Sequence, residues 1–476
     1  MTSSSKAMRS KCLTPVLALL PFAALGQEVE VPPNPAAGVE LTIYESNLAL
    51  IKDRRDITLP GESADLAFAG VSGQMQPESA LLRVLSGAPL DVAEQTFDFD
   101  VITREALLKR SVGQEVSVVT VNPASGREVS ERAKVISVDG GLVLDIGGRI
   151  HTETPGRIVF DRLPPDLRAT PTLVLSVTGK SKANSDVELS YLSGGIGWHA
   201  DYVAAYDADV GQLDLTAWAS VTNTSGTDFK AAKLKLVSGE VNRTAPPRPN
   251  VKFRAMEMAA AAAPMADGVA QQDFAAYHLY DFAPLVDLAA NQTKQLALMS
   301  ATAIKAKQEY VVQGQPNFYY GQMQNLAPVN ADSVVTFKND AAAKLGLPLP
   351  AGIVRLYGQD TSGAPQFMGE DRIGHIPEGG DVRLTMGRDF DITADRQQMS
   401  FVRPADNMSL SVWKVVLKNA KDKAVTVRLI EPIQGDWEIM KESHPHTKTN
   451  AGTAEWAIDV PAKGETTVEY NVRTRF

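Results

Sequence analysis

The chain has 476 residues, a formal net charge of −9 and one cysteine. That length exceeds a single core of roughly 100–200 residues, so several domains are expected. The acidic balance argues against nonspecific nucleic-acid binding, which draws on clustered Lys and Arg, and no nucleic-acid partner is expected.

The first residues read as an export signal. Lys6, Arg9 and Lys11 precede the apolar run "LTPVLALLPFAAL", and Ala24-Leu25-Gly26 supplies small residues for a cut near Gly26/Gln27. A membrane anchor would need about 18 or more uninterrupted apolar residues, whereas Pro15 and Pro21 break this run. Cys12 lies ahead of the run, so cleavage leaves no thiol. Disulfides, zinc–thiolate sites, cysteine nucleophiles and iron–sulfur ligation are then excluded. Losing residues 1–26 moves the formal charge from −9 to −12. The expected product is a periplasmic or secreted protein with no transmembrane span in the mature chain.

Beyond Gly38 the pattern alternates apolar and polar residues between Gly, Pro, Asn and Asp punctuation, as half-buried strands do. Residues 27–100 read as an N-terminal β region. "TREALLKRSVG" offers Thr103 as a helix cap and Gly113 as a stop, predicting one short helix. It opens a small barrel-like insert over 101–165, whose short strands are separated by "NPASG" and "DGG" turns. Residues 166–244 continue the first β region. The span 245–275, rich in Ala and Pro, reads as a flexible linker. A second β region follows over 276–404, and 405–476 reads as a C-terminal sandwich in which "NAKDK" turns a hairpin. In its "TAEWAIDVPA", Trp456, Ile458 and Val460 share one face. The fold class expected is mainly β: multi-domain antiparallel sandwiches, the small barrel-like insert, one short helix and a long linker.

Several segments in order, among them "ELSYLSGGIGWHADYVAAYDAD", "LDLTAWASVTNTSGTDFKAAKLKLVSGEVNR", "LGLPLPAGIVRLYGQDTSGAPQFMGEDRIGHIPEGGDVRLTMGRDFDITADR" and "TAEWAIDVPAKGETTVEYNVRTRF", carry a resemblance. The chain resembles the bacterial family "domain of unknown function 4139", a domain also found in mucoidy-inhibitor-like proteins. The likeness spans about Val187 to Phe476, with "LTIYESNLALIKDRRDITLP" near the start. It implies a mostly β exported or envelope protein, with no catalytic residues to carry over. Mucoidy-inhibitor-like members carry a coiled coil in the N-terminal half, and no sustained heptads occur here.

Candidate chemistry concentrates in "MGEDRIGHIPEGGDVRLTMG". Glu370, Asp371 and His375 could converge as general-acid or hard-metal groups. The plainer reading is strand, turn, strand, with Asp371 in ion pairs to Arg372 or Arg383. His444 and His446 in "HPH" could share a metal if on a strand, and read otherwise as a solvated loop. His199 beside Trp198 reads as a sheet residue against an aromatic, and "PNFYYGQMQ" as a strand edge or a stacking surface, Phe318 to Tyr320. No Gly-x-Ser-x-Gly elbow, Ser-x-x-Lys set or phosphate loop is present. No catalytic, cofactor-binding or metal-binding residue is therefore assigned, and no cofactor is expected. The function expected is a non-catalytic interaction or structural module of the envelope, meeting envelope proteins through sheet edges or the 245–275 linker. The alternative is a periplasmic hydrolase or carbohydrate binder with a site around Glu370, Asp371 and His375.

Overall fold

The computed structural model describes residues 27–239, 241–242, 269–274 and 277–476, apart from 35–37, 99, 155, 165–166, 181, 183, 325, 344 and 361. The leader over 1–26 and most of the 245–275 linker lie outside the described residues. Of that linker, Val269–Phe274 is a strand paired antiparallel with Tyr277–Leu288.

The described residues are mainly β, arranged in several sheets, with one α-helix, Arg104–Arg110. The helix forms where its cap predicts: Thr103 Oγ1 accepts the Ala106 N–H at 3.0 Å, Glu105 lies in the first turn, and Lys109 and Arg110 lie in the last. No helix among the described residues is long and apolar enough to cross a membrane.

The chain divides into two compact units. The first comprises the described residues within 27–33, Arg55–Gly70 and Val84–Val187. Its four-stranded sheet has the order Gln27–Val31, Ser63–Ala69, Thr172–Gly179, Leu90–Asp98. Its five-stranded sheet has the order Arg149–His151, Val143–Ile146, Glu128–Ser137, Glu115–Val121, Arg157–Val159. The outer two strands of this sheet do not pair with each other, so the small module is an open sheet and not a closed barrel. Alternating residues Val116, Val118, Ala133, Val135, Leu144 and Ile146 give it a core of its own.

The second unit comprises Asn34–Arg54, Val71–Arg83 and Glu188–Phe476. One of its sheets sets Tyr277–Leu288, Phe229–Ser238, Val39–Tyr44 and residues 48–53 of the strand Leu48–Thr58 side by side. The largest sheet runs Pro365–Ile373, Gly352–Gln359, Ile196–Asp207, Gln212–Asn223, Gln292–Gln313, Val329–Lys338, Asp381–Ala405, Met408–Asn419, Gly464–Arg475, Asp436–Glu442.

Two features depart from the antiparallel expectation. Parallel pairs join Gln27–Val31 to Ser63–Ala69, Val39–Tyr44 to Phe229–Ser238, Ile196–Asp207 to Gly352–Gln359, and Gln292–Gln313 to Val425–Pro432. Each joins strands far apart in sequence, as parallel pairing requires. The "NAKDK" segment is also not a hairpin turn: Met408–Asn419 pairs with Asp381–Ala405 and Gly464–Arg475, whereas Val425–Pro432 pairs with Gln292–Gln313 and Thr453–Val460. The segment is an arch between different strand neighbourhoods. Asn419 Nδ2 holds it by donating to the carbonyls of Lys423, Val460 and Pro461 at 2.9, 3.3 and 3.0 Å.

The C-terminal core centres on Trp413, Trp456, Tyr470 and Val472, and it also takes in Val312, Phe318, Tyr319, Ala331, Ile392 and Ala394. Val312 comes from the long strand Gln292–Gln313, Ala331 from Val329–Lys338, Ile392 and Ala394 from Asp381–Ala405, and Phe318 and Tyr319 from the 3₁₀ turn Pro316–Tyr319. Each large apolar side chain buried there contributes roughly 1.5–3 kcal/mol.

Candidate functional site

A cluster of polar groups beside a pocket surrounds the exposed His375. Ser238 ends the strand Phe229–Ser238 and lies opposite His278 of Tyr277–Leu288. His375 follows the strand Pro365–Ile373, and Leu349 and Ile376 exchange main-chain hydrogen bonds at 2.8 and 3.0 Å. These segments, with Gly239, Pro348 and Pro377, line an open pocket of about 220 Å³. Tyr202 and Tyr280 fix the proline-rich wall by donating to the Pro350 and Pro348 carbonyls at 2.8 and 3.1 Å. Burial pushes both phenols above their ordinary range, and the Glu45 carboxylate adds to the shift, so both remain donors at neutral pH.

His375 Nδ1 accepts the Ala351 N–H at 3.2 Å and lies 3.2 Å from Ser238 Oγ; its Nε2 is 3.5 Å from Glu45 Oε2. The order Ser–His–Glu resembles a nucleophile relay, but the local chemistry opposes one. A ring nitrogen offers one lone pair, and the Ala351 N–H already uses the one on Nδ1. The proton therefore sits on Nε2, facing Glu45, and Nδ1 is poorly placed to take a proton from Ser238. His375 acts as a strut tying Ser238, the Pro348–Ala351 loop and the Glu45 turn together.

Glu370, Asp371 and His375 do not converge, which corrects the alternative site. Glu370 and Asp371 are strand neighbours and face opposite ways. Glu370 lies 3.6 Å from Arg355 on an outer sheet face. Asp371 accepts the Thr385 N–H at 2.7 Å and the Arg372 N–H at 2.8 Å, so its carboxylate serves main-chain groups. Gly369 beside it has φ +154°, and a Cβ there would overlap the Met386 carbonyl oxygen. The charged stretch is thus a strand laid against a second strand, with Asp371 tying the two.

The "HPH" segment is a loop, as expected, but its two imidazoles are half-buried. His446 lies between Trp437 and Trp456, with ring centroids 5.9 and 5.7 Å away, and its Nδ1 is 2.9 Å from Glu442 Oε2. Trp456 Nε1 donates to Glu442 Oε2 and to the His444 carbonyl, each at 3.1 Å, while His444 Nδ1 is 2.9 Å from Ser443 Oγ. The two imidazoles engage different partners. Among the described residues no three His, Cys, Asp or Glu side chains are grouped to hold a metal ion. Phe318 and Tyr319 are likewise not a surface: they lie in the 3₁₀ turn Pro316–Tyr319, buried against Trp413 at 5.5 and 5.9 Å, and Tyr320 stacks on Phe476 at 4.6 Å.

A second polar constellation went unread in the sequence. Asp201 accepts from Ser220 Oγ at 2.6 Å and Arg355 at 3.0 Å, and its Oδ2 is 3.1 Å from His199 Nε2. His199 therefore meets a carboxylate, while Trp198 faces the core and donates to the Val237 carbonyl at 3.0 Å. Burial alone would raise the Asp201 carboxyl, but the Ser220 and Arg355 hydrogen bonds and the nearby His199 outweigh it and hold it below the usual range. Beside this network Tyr357 and Phe367 meet edge to face at 5.7 Å, and Val203 and Phe367 are exposed. The available signal was same-face spacing: His199, Asp201 and Val203 are two apart on one strand.

The family model for "Domain of unknown function (DUF4139)" matches residues 187–476, more than half of the chain. The chain belongs to this family. A search of curated proteins finds no match. The DUF4139 match contains Ser238, His278, His375 and the Asp201 network, while Glu45, which faces His375, comes from upstream of it.

Proposed function

We propose that this DUF4139 protein is exported, cut after Gly26, and works in the periplasm or cell envelope as a non-catalytic interaction module that binds another envelope protein. The basic and apolar leader supports export, as does the absence of cysteine after residue 12. The observation that carries the binding reading is the outer sheet face. Exposed Phe367 and Val203 lie there with Tyr357 and a charge-paired Arg355, and aromatic residues and Arg are the types enriched at interface centres. The His375 lone pair taken by the Ala351 N–H supports a non-catalytic role.

The test is a photo-cross-linking residue at position 367 in living cells, with one at exposed Val121 as control. One discrete adduct from 367, abolished by Tyr357→Ala and absent from 121, is the expected outcome. Equal or no labelling at both positions overturns the binding reading. The mass of the mature chain tests export independently, and a product starting at Gln27 is expected.

A second reading, a hydrolase at Ser238, has one observation in its favour, the Ser238–His375–Glu45 line beside a pocket. Labelling by a fluorophosphonate that Ser238→Ala abolishes would establish it over the interaction module.

A further inference from the structure

The exposed methionines share an unusual position. Among the described residues three methionines are exposed: Met399 at 60 %, Met440 at 58 % and Met368 at 37 %. Each is the extra residue of a β-bulge. Gln398 pairs with Trp413 and Ser400 with Val412, which leaves Met399 out of the ladder. Ile439 pairs with Val472 and Lys441 with Asn471, leaving out Met440. Phe367 pairs with Tyr357 and Gly369 with Leu356, leaving out Met368. Half-buried Met386 occupies the same position between Thr385 and Gly387. Met75 and Met299, by contrast, are buried at 6 % and 4 %.

A bulge residue has no partner directly opposite it, so its side chain can change polarity without breaking a cross-strand pair. Methionine in a core behaves otherwise, because a sulfoxide there places a polar group in an apolar site. Residues 27–476 also contain no cysteine, so no thiol competes for oxidants.

From these observations we infer that Met368, Met399 and Met440 are oxidative modification sites, built to take up one oxygen atom each while the fold stays intact. With hydrogen peroxide the thioether sulfur attacks one peroxide oxygen. An S–O bond forms, the O–O bond breaks and water leaves; sulfur is oxidised by two electrons and the peroxide is reduced. The product is the sulfoxide that methionine sulfoxide reductases return to the thioether. The inference does not depend on the proposed binding partner, since it concerns the free chain.

The experiment exposes the full mature chain to graded hydrogen peroxide and maps oxygen uptake by peptide mass, with thermal unfolding recorded on the same samples. Met399 and Met440 should oxidise first, Met368 next, and Met75 and Met299 at least about tenfold more slowly, as accessibility governs the reaction. The unfolding midpoint should stay unchanged while only the bulge sites carry oxygen, and reductase treatment should restore the mass. A M368L/M399L/M440L chain, similar in side-chain volume, should fold equally well and lose this early uptake. Equal rates at Met75 and Met299, or loss of the native transition once the bulge sites are converted, would overturn the inference.

Discussion

Replacing Arg396 by Met tests the account of the C-terminal core most severely. Arg396 and Glu431 are 5 % and 0 % exposed at the side chain and meet at 2.8 Å. Glu431 also accepts from Tyr319 at 2.8 Å, Tyr319 lies 3.1 Å from Tyr470, and the guanidinium sits 5.1 Å over the Phe318 ring. Arg396→Met keeps an unbranched apolar stem against that ring but leaves a buried carboxylate without its cation. Removing one partner of a buried ion pair costs about 3–5 kcal/mol. With a urea dependence of about 1–3 kcal/mol per molar, the midpoint should fall by about 1 M or more. The assay is urea unfolding followed by tryptophan fluorescence, to which Trp413 and Trp456 of the same core contribute. Arg396→Met/Glu431→Gln retains an acceptor for Tyr319 without the charge, and should recover all but about 1–2 kcal/mol of the loss. A single variant costing under about 1 kcal/mol would refute a buried, mutually dependent pair. A double variant as damaged as the single would show that packing against Phe318, not charge, was lost.

Three further outcomes are expected. Gly314→Ala places a Cβ onto Glu431 Oε2, so about 1–3 kcal/mol of overpacking should appear in the same urea assay. His375→Ala removes the Ala351 N–H acceptor and the contact with Ser238, both open to water, and should cost about 0.5–1.5 kcal/mol; Glu45→Gln, across the longer 3.5 Å contact, should cost less, as thermal unfolding can show. Asp201 has a folded-state carboxyl below its unfolded value, so its contribution is complete above about pH 4 and fades as pH falls through the folded value. The stability gap between wild type and Asp201→Asn should therefore be full at pH 7 and shrink below about pH 4, measured by unfolding across pH; a gap independent of pH would count against the network.

How much was legible in the sequence follows from the range of each interaction. The helix at Arg104–Arg110 was readable because its cap lies three residues from the amide it serves. Trp456, Ile458 and Val460 were readable as one buried face because strand periodicity is local. The "NAKDK" arch was misread because a five-residue connection looks the same whether the next strand returns alongside or crosses to other neighbours. His446 was legible as a loop residue, whereas its enclosure depends on the rings of Trp437 and Trp456, which come from the strands Asp436–Glu442 and Thr453–Val460 on either side of it. Glu370 and Asp371 drew attention as adjacent acids, although adjacency on a strand is what sends them apart.

Composition and alternation by themselves determined that the protein is mainly β and thiol-free after residue 12, and the order of its motifs pointed to its family. These properties reside in single residues or in repeats of two, so they survive in one dimension. Tertiary structure alone decided the His375 strut, whose partners Glu45, Ser238 and Ala351 are far apart in sequence, and the Arg396–Glu431–Tyr319 cluster in the core. Hydrogen bonds and ion pairs act over a few ångströms, and only the pairing of distant strands brings such groups within that reach.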